Sequence, residues 1–246
     1  MRIAIISDIH ANDLAFAACL DEARRLKSDR LVLLGDLVGY GPAPEETVQR
    51  VMALAAEGAI VIKGNHDQAI SRPDNAMNPI AAAAIEWTRH HLSPAAKTFL
   101  RQLPLTAQGD GLLFVHADAS APERWNYITS PAEARRSLLA TTARVTFCGH
   151  VHVPQLYCLT ATAKLVPHTP VTGSGVPLSQ QRQWLAVIGS AGQPRDGNPA
   201  AAFATFDTDS RELVYRRVPY DWDAVAARIR AAALPEQLAQ RLAVGR

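Results

Sequence analysis

An α/β fold, laid out as one domain with two β-sheets over residues 1–246, is what this sequence predicts, and three observations predict it. Over the first 65 residues, continuous apolar strands alternate with amphipathic helices, the pattern of a parallel sheet with right-handed crossovers. From residue 154 the texture changes to short strands between Gly, Pro and Asp-rich turns, which favours a second, largely antiparallel sheet. No linker, internal repeat or low-complexity tract separates the two halves.

Each element follows from its residues. "RIAIISD" (2–8) is a β-branched run suited to burial on both faces. Asn12 or Asp13 can cap a helix reaching about Leu26, with Leu14, Ala18, Leu20 and Ala23 at helical spacing. "RLVLLGD" (30–36) is a second strand, Pro44 opens a helix over 44–57, and "AIVIKGN" (59–65) is a third strand. Helices are expected over 77–91 and 94–103, the second started by Ser93-Pro94. "GLLFVHA" (111–117) and "RVTFCGH" (144–150) read as the fourth and fifth strands, around a short helix at 131–140. "QLYCLT", "KLVPHTP", "WLAVIGS", "AAFATFDT" and "ELVYRRV" are the short strands, and one or two helices cover 221–243.

Composition narrows the function. The chain sets 25 Lys and Arg against 23 Asp and Glu, a net charge of +2. That balance argues against a nucleic-acid coat or a membrane-surface protein, and long nucleic acid, which needs several phosphate contacts, is not an expected partner. Three cysteines, Cys19, Cys148 and Cys158, leave one over from any pairing and read as buried thiols of a cytoplasmic protein. The apolar start is too short for a signal-peptide core, and no stretch has the length of a membrane span. There is no nucleophile-elbow serine and no phosphate loop of P-loop type.

The acids and histidines are where the chemistry gathers. Strand one ends in Asp8 and His10, strand two in Asp36, strand three in Asn65, His66 and Asp67, strand four in His116, and strand five in His150 and His152. Carboxyl ends of parallel strands form the ligand crevice of open α/β sheets. Five of the eight histidines are therefore expected on one edge, with His90, His91 and His168 elsewhere. Taken singly, each motif reads equally as a turn or a helix cap; their joint placement points to a metal site. Asp, Asn and His donors suit borderline divalent ions and argue against calcium or an all-thiolate site.

Asp8-Ile-His10, Gly35-Asp36, Gly64-Asn65-His66-Asp67, His116 and Gly149-His150-Val-His152 together resemble the signature of the calcineurin-like metallophosphoesterase superfamily. "GDLVGYGP" (35–42) and "GSAGQPRDG" (189–197) resemble its small stand-alone bacterial members. The resemblance implies a four-layer α/β/β/α sandwich of two mixed β-sheets with a dinuclear site at the strand ends. It implies that Asp8, His10 and His152 bind one ion and Asn65, His116 and His150 the other, with Asp36 bridging. The ions would be two divalent transition metals, manganese ahead of iron, zinc, nickel or cobalt. His150 and His152 stand at i and i+2, so on a strand they share one face and can serve different ions.

Charge supports the same conclusion. Two divalent ions less two carboxylates leave about +2, a match for a phosphoryl group, and two ions about 3.5–4 Å apart can activate a bridging hydroxide for attack on phosphorus. By the resemblance, His66 faces the phosphate and protonates the leaving oxygen, while Asp67 hydrogen-bonds its other ring nitrogen. Three further residues are candidate substrate contacts. Asn12 reaches the phosphate or caps the first helix; Tyr40, in "GYGP", walls the pocket or belongs to a turn; Arg195 meets a second phosphate or ties loop carbonyls. Loops at 68–80, 117–130 and 168–183 can shape the pocket, while Trp87, Trp125, Tyr127 and Trp184 read as core aromatics. The expected activity is a metal-dependent phosphatase or phosphodiesterase acting on a small phosphomonoester, phosphodiester or nucleotide. The alternative is a non-catalytic, protein-binding scaffold that keeps the fold, because fold does not dictate function. The sequence leaves homo-oligomer formation open.

Overall fold

Strand β1 (Arg2–Ile6) sets the layering, because its side chains alternate between two cores. Ile3 and Ile5 pack between the sheets, while Ala4 and Ile6 pack under helices on the outer face. The computed structural model describes residues 1–72 and 77–246. Residues 73–76, part of the 68–80 loop named above, lie outside the described residues.

After β1 come α1 (Asp13–Arg25), β2 (Arg30–Leu33), α2 (Pro44–Ala56), β3 (Ile60–Val61), α3 (Asn65–Ser71), α4 (Pro79–His91) and α5 (Pro94–Gln102). Then follow β4 (Thr106–Gly109), β5 (Leu112–Val115), α6 (Pro131–Leu139), β6 (Val145–Cys148), β7 (Gln155–Leu159), β8 (Leu165–His168), β9 (Gly175–Pro177) and β10 (Gln183–Val187). The chain closes with β11 (Ala201–Asp207), β12 (Glu212–Val218), α7 (Trp222–Ala231) and α8 (Glu236–Val244). Helix starts follow local chemistry: Asn12 Oδ1 accepts from Ala15 N, Ser93 precedes Pro94, and Ser130 and Glu133 form a capping box on α6.

Two six-stranded mixed sheets result, ordered β3-β2-β1-β11-β12-β9 and β4-β5-β6-β10-β7-β8. β1, β2 and β3 run parallel, as do β5, β6 and β10; the remaining pairings are antiparallel. Between the sheets Phe147 lies 5.6 Å from Phe114 and 5.4 Å from Phe206, ring to ring. Helices α1 and α2 cover the outside of the first sheet, and α6 the outside of the second, giving the four layers α/β/β/α.

The strands are shared out differently from the simple division into an early parallel and a late antiparallel sheet. β5 and β6 leave the first sheet for the second, whereas β9, β11 and β12 return to the first. The cause lies in β11, whose first six residues are all buried. A strand apolar on both faces needs a central place, and β11 finds it against β1, with Arg2 opposite Asp207 and Ile6 opposite Phe203. The polar edge strand β4, "TAQG", has no apolar signal and escapes sequence reading. The third strand shrinks to Ile60–Val61, and Asn65, His66 and Asp67 open helix α3 instead of ending a strand.

Candidate metal centre

The carboxyl ends of both sheets meet at one pole, and there the chain turns sharply. Asp8, His10, Asp36, His150 and His152 all have positive φ, at 53, 52, 50, 68 and 64°. The left-handed region costs a non-glycine residue about 1–2 kcal/mol, and such strain collects at functional sites where the surroundings enforce it. Glycines make the crowding possible. A Cβ on Gly149 would run into Ser7 Oγ and Asp8 Oδ2, and one on Gly64 into Asp36. The loop containing "GSAGQPRDG" is pinned on the first turn by Ala191 N donating to Ser7 O and Gly192 N to Asp8 O, both at 2.9 Å.

His150 and His152 are not on a strand, since β6 ends at Cys148. Alternation of strand faces therefore does not explain their pairing, and the two left-handed residues do. His150 Nε2 donates to the Trp125 carbonyl at 2.9 Å, leaving Nδ1 with a free lone pair, while His152 is held through Nδ1 on the Gln193 carbonyl at 2.7 Å. One imidazole thus offers Nδ1 and the other Nε2.

Among the described residues, three groups each bring their donor atoms within 4.8 Å of one another: Asp8, His10 and His152; Asp36, His116 and His150; and His10, Asp36 and His66. His152 Nε2 is 3.2 Å from Asp8 Oδ1, and His116 Nε2 is 3.4 Å from Asp36 Oδ2. His10 Nε2 lies 3.9 Å from Asp8 and 3.8 Å from Asp36, so Asp36 stands between the two halves. Asp36 also accepts from the His66 backbone N–H at 2.8 Å. His66, expected to stay clear of metal, is close enough to belong to the third group.

Hydrogen bonding fixes the tautomers. Nδ1 of His10, His116 and His152 faces the carbonyls of Val38, Leu34 and Gln193, at 3.2, 2.7 and 2.7 Å. A carbonyl only accepts, so each Nδ1 carries a proton, and in their neutral forms His10 and His152 point the Nε2 lone pair inward. His10 Nε2 and His152 Nε2 then confront each other at 3.1 Å. Two lone pairs at that distance repel unless a cation lies with them. His116 Nε2 and Asn65 Oδ1 are buried with no hydrogen-bond partner, as a donor set awaiting a metal would be.

Burial pulls His10 well below the ordinary histidine range, and it takes His66 to about 4 and His150 to about 3. Burial also pulls on His116, but the Asp36 carboxylate outweighs it and lifts the group to about 9. Burial drives Asp8 and Asp36 up; the His152 and His116 imidazoles respectively overcome it and hold both carboxyls below the usual range.

The remaining candidates divide. Asp67 makes no hydrogen bond to the His66 ring, which corrects that expectation. Its carboxylate accepts from Gly64 N and Leu37 N at 2.9 Å and Val38 N at 3.3 Å, tying the α3 entry to the turn after β2. Burial and the Asp36 charge push it up to about 7. Asn12 takes the helix-cap alternative: besides capping α1, its Nδ2 donates to Gly192 O at 2.8 Å and Tyr220 Oη at 3.1 Å. Tyr40 does reach the cluster, its ring 4.6 Å from His10 and 4.5 Å from His66. The Arg195 guanidinium lies 5.8 Å over the Tyr40 ring, with Nε buried and unpartnered.

Sequence reading missed two aromatic residues. Tyr127 stacks on His150 with ring centres 4.1 Å apart and is 52% exposed, and Trp125 edges His116 at 5.8 Å. Their position soon after His116 in "HADASAPERWNY" was the available signal. Trp184 is core as expected.

A model of the calcineurin-like phosphoesterase superfamily domain matches residues 1–211. An uncharacterized protein of Methanocaldococcus jannaschii is 31% identical over 250 residues, covering 99% of this chain and 98% of its own length. The crystal structure of a metallophosphoesterase from Sphaerobacter thermophilus is 37% identical, with a TM-score of 0.88 over 100% of this chain and 99% of that one. A symmetrical bis(5′-nucleosyl)-tetraphosphatase of Nitrosococcus oceani is 31% identical over 149 residues, 55% of this chain and 49% of that protein.

Proposed function

We propose, since the chain belongs to the calcineurin-like phosphoesterase superfamily, that it is a dinuclear metal-dependent hydrolase of small phosphate esters. The substrate is a phosphomonoester, a phosphodiester or a nucleotide. The observation that carries this reading is the confrontation of His10 Nε2 and His152 Nε2 at 3.1 Å, each ring already spending its proton on a carbonyl.

Asp8, His10 and His152 would hold one divalent ion and Asn65, His116 and His150 the other, with Asp36 shared. Manganese is the first choice and iron, zinc, nickel or cobalt the others; such ions supply charge neutralisation and a water of lowered pKa. The chain's own part is to orient and to move protons. Carbonyls of Leu34, Val38, Trp125 and Gln193 aim the imidazoles. His66, held at about 4 by burial in the free protein, would become the proton donor to the leaving oxygen once the phosphate anion beside it raises that value: its Nδ1 lies against Gly39, where a Cβ would collide with it, so the opposite edge of the ring is left to face the substrate. Asp67 acts as a positioning residue through the backbone at 37–38 and 64. Arg195 and Tyr40 wall the substrate pocket. Residues 1–246 work as a single domain, supported by β1 and β11 pairing from opposite ends of the chain. Three free buried cysteines support a cytoplasmic setting. No helix among the described residues is long and apolar enough to cross a membrane.

The test is metal analysis with a substrate panel. Protein reconstituted separately with Mn, Ni, Zn and Mg should carry two ions per chain and hydrolyse monoesters, diesters, cyclic nucleotides or dinucleoside polyphosphates. Asp36→Asn should lower the content of both ions. Two bound ions without hydrolysis of any ester would favour the scaffold reading, and unchanged metal in Asp36→Asn would defeat the shared ligand.

A further inference from the structure

Among the aromatic residues that touch the cluster, Tyr127 stands apart by its exposure. Tyr40 is 6% exposed and packed in, whereas Tyr127 leaves 52% of its surface in water. Its ring lies nearly parallel to His150, tilted by 20° at 4.1 Å, so one face is taken and the open surface belongs to the other face and the edge. Two residues earlier, the Trp125 carbonyl takes the His150 Nε2 proton and Trp125 adopts φ 54°.

We propose that Tyr127 is a stacking platform that selects phosphate esters carrying a planar ring, such as a nucleobase, on the leaving group. This rests on the hydrolase reading above. A flat ring laid on the open face of Tyr127 sits one ring spacing beyond His150, leaving the phosphate end free to reach the donor cluster. Stacking of this kind uses the π-face shared by all bases and demands little hydrogen-bond complementarity.

Adenosine 5′-monophosphate and ribose 5-phosphate expel the same type of primary alkoxide and differ by the base, so their comparison isolates the platform from leaving-group chemistry. The manganese-loaded enzyme should prefer the adenosine ester through KM. Tyr127→Ala should reduce that preference about tenfold, within the range for one base stacked on an aromatic side chain, and Tyr127→Phe should retain it. A second readout needs no turnover: by calorimetry, phenylphosphonate should bind more tightly than methylphosphonate, and Tyr127→Ala should erase the difference. If Tyr127→Ala lowers both esters equally and loses metal, Tyr127 only braces His150 and the platform is wrong. If the wild-type protein hydrolyses neither ester while binding phenylphosphonate preferentially, the platform stands and the hydrolase reading fails. Equal binding of the two phosphonates by the wild-type protein overturns the platform.

Discussion

The inter-sheet core and the donor-rich pole lie on the same strands, a few residues apart, and follow opposite rules. From Ile3 to Ile6 the chain is regular, apolar and alternating; at Asp8 and His10 it is left-handed, charged and crowded. In the core the side chains are satisfied by packing, with Trp184 and Tyr215 also hydrogen-bonding, to the carbonyls of Ser179 and Gln155. At the pole, lone pairs face each other, the carboxyl groups of Asp8, Asp36 and Asp67 are buried, and polar atoms lack partners. The contrast teaches that the strands stabilise a geometry the turns would not adopt by themselves, and that stability and chemistry are separable here.

Three perturbations would sharpen or break that separation. The largest effect is expected from His66→Ala, which should cut turnover by about 10²–10⁴, the usual span for a general acid. It should retain both ions and stay folded; parent-rate hydrolysis would remove His66 from the reaction, and loss of metal would place it in the third donor group. Next is Phe206→Ala at the far end of the inter-sheet core, fully buried and tilted against Phe147. It should cost about 3–5 kcal/mol of unfolding free energy with the metal content per folded chain unchanged, measured by denaturant titration and elemental analysis. A matching loss of metal affinity in the folded protein would show that core and pole are coupled.

The smallest effect is on acidification of the metal-stripped protein. His66 and His150 sit at about 4 and about 3 in the fold, below the ordinary 6.5. The unfolded chain therefore takes up those protons first, and stability should fall as pH drops from 6.5 towards 4. Asp67, held up at about 7, opposes this with one proton against the three of His10, His66 and His150. His116 does the reverse at high pH: the stability it contributes is complete below 6.5 and is lost as pH rises through about 9. Melting temperature against pH should thus peak near neutrality, and a profile flat between 6.5 and 4 would contradict the burial of neutral imidazoles. Added metal should flatten the acid limb until its ligands protonate.

Much of the pole was legible because its donors are side chains at strand ends, where "SDIH", "GD", "GNHD" and "GHVH" mark them directly. What escaped was carried by backbone. The carbonyls of Leu34, Val38, Trp125 and Gln193 that set the tautomers have no residue signature. Asp67 misled because the residue beside a histidine in sequence need not face its ring; the turn after β2 offered N–H donors from thirty residues away. Asn12 had both readings open, and the helix cap won because Ala15 N is local while a substrate is not. Tyr127 passed as core because aromatic residues are buried more often than not.

By itself, the order of residues determined which groups can bind a metal, the alternation that makes β1 a central strand, and the helix starts, since each depends on neighbours a few positions apart. Tertiary structure alone decided that β11 would cross back to flank β1, that Asp36 would stand between two donor sets, and that His10 and His152 would meet, 142 positions apart, with their protons turned away. Local preference acts over a turn of chain, whereas lone pairs are brought face to face only when two sheets close on a common core.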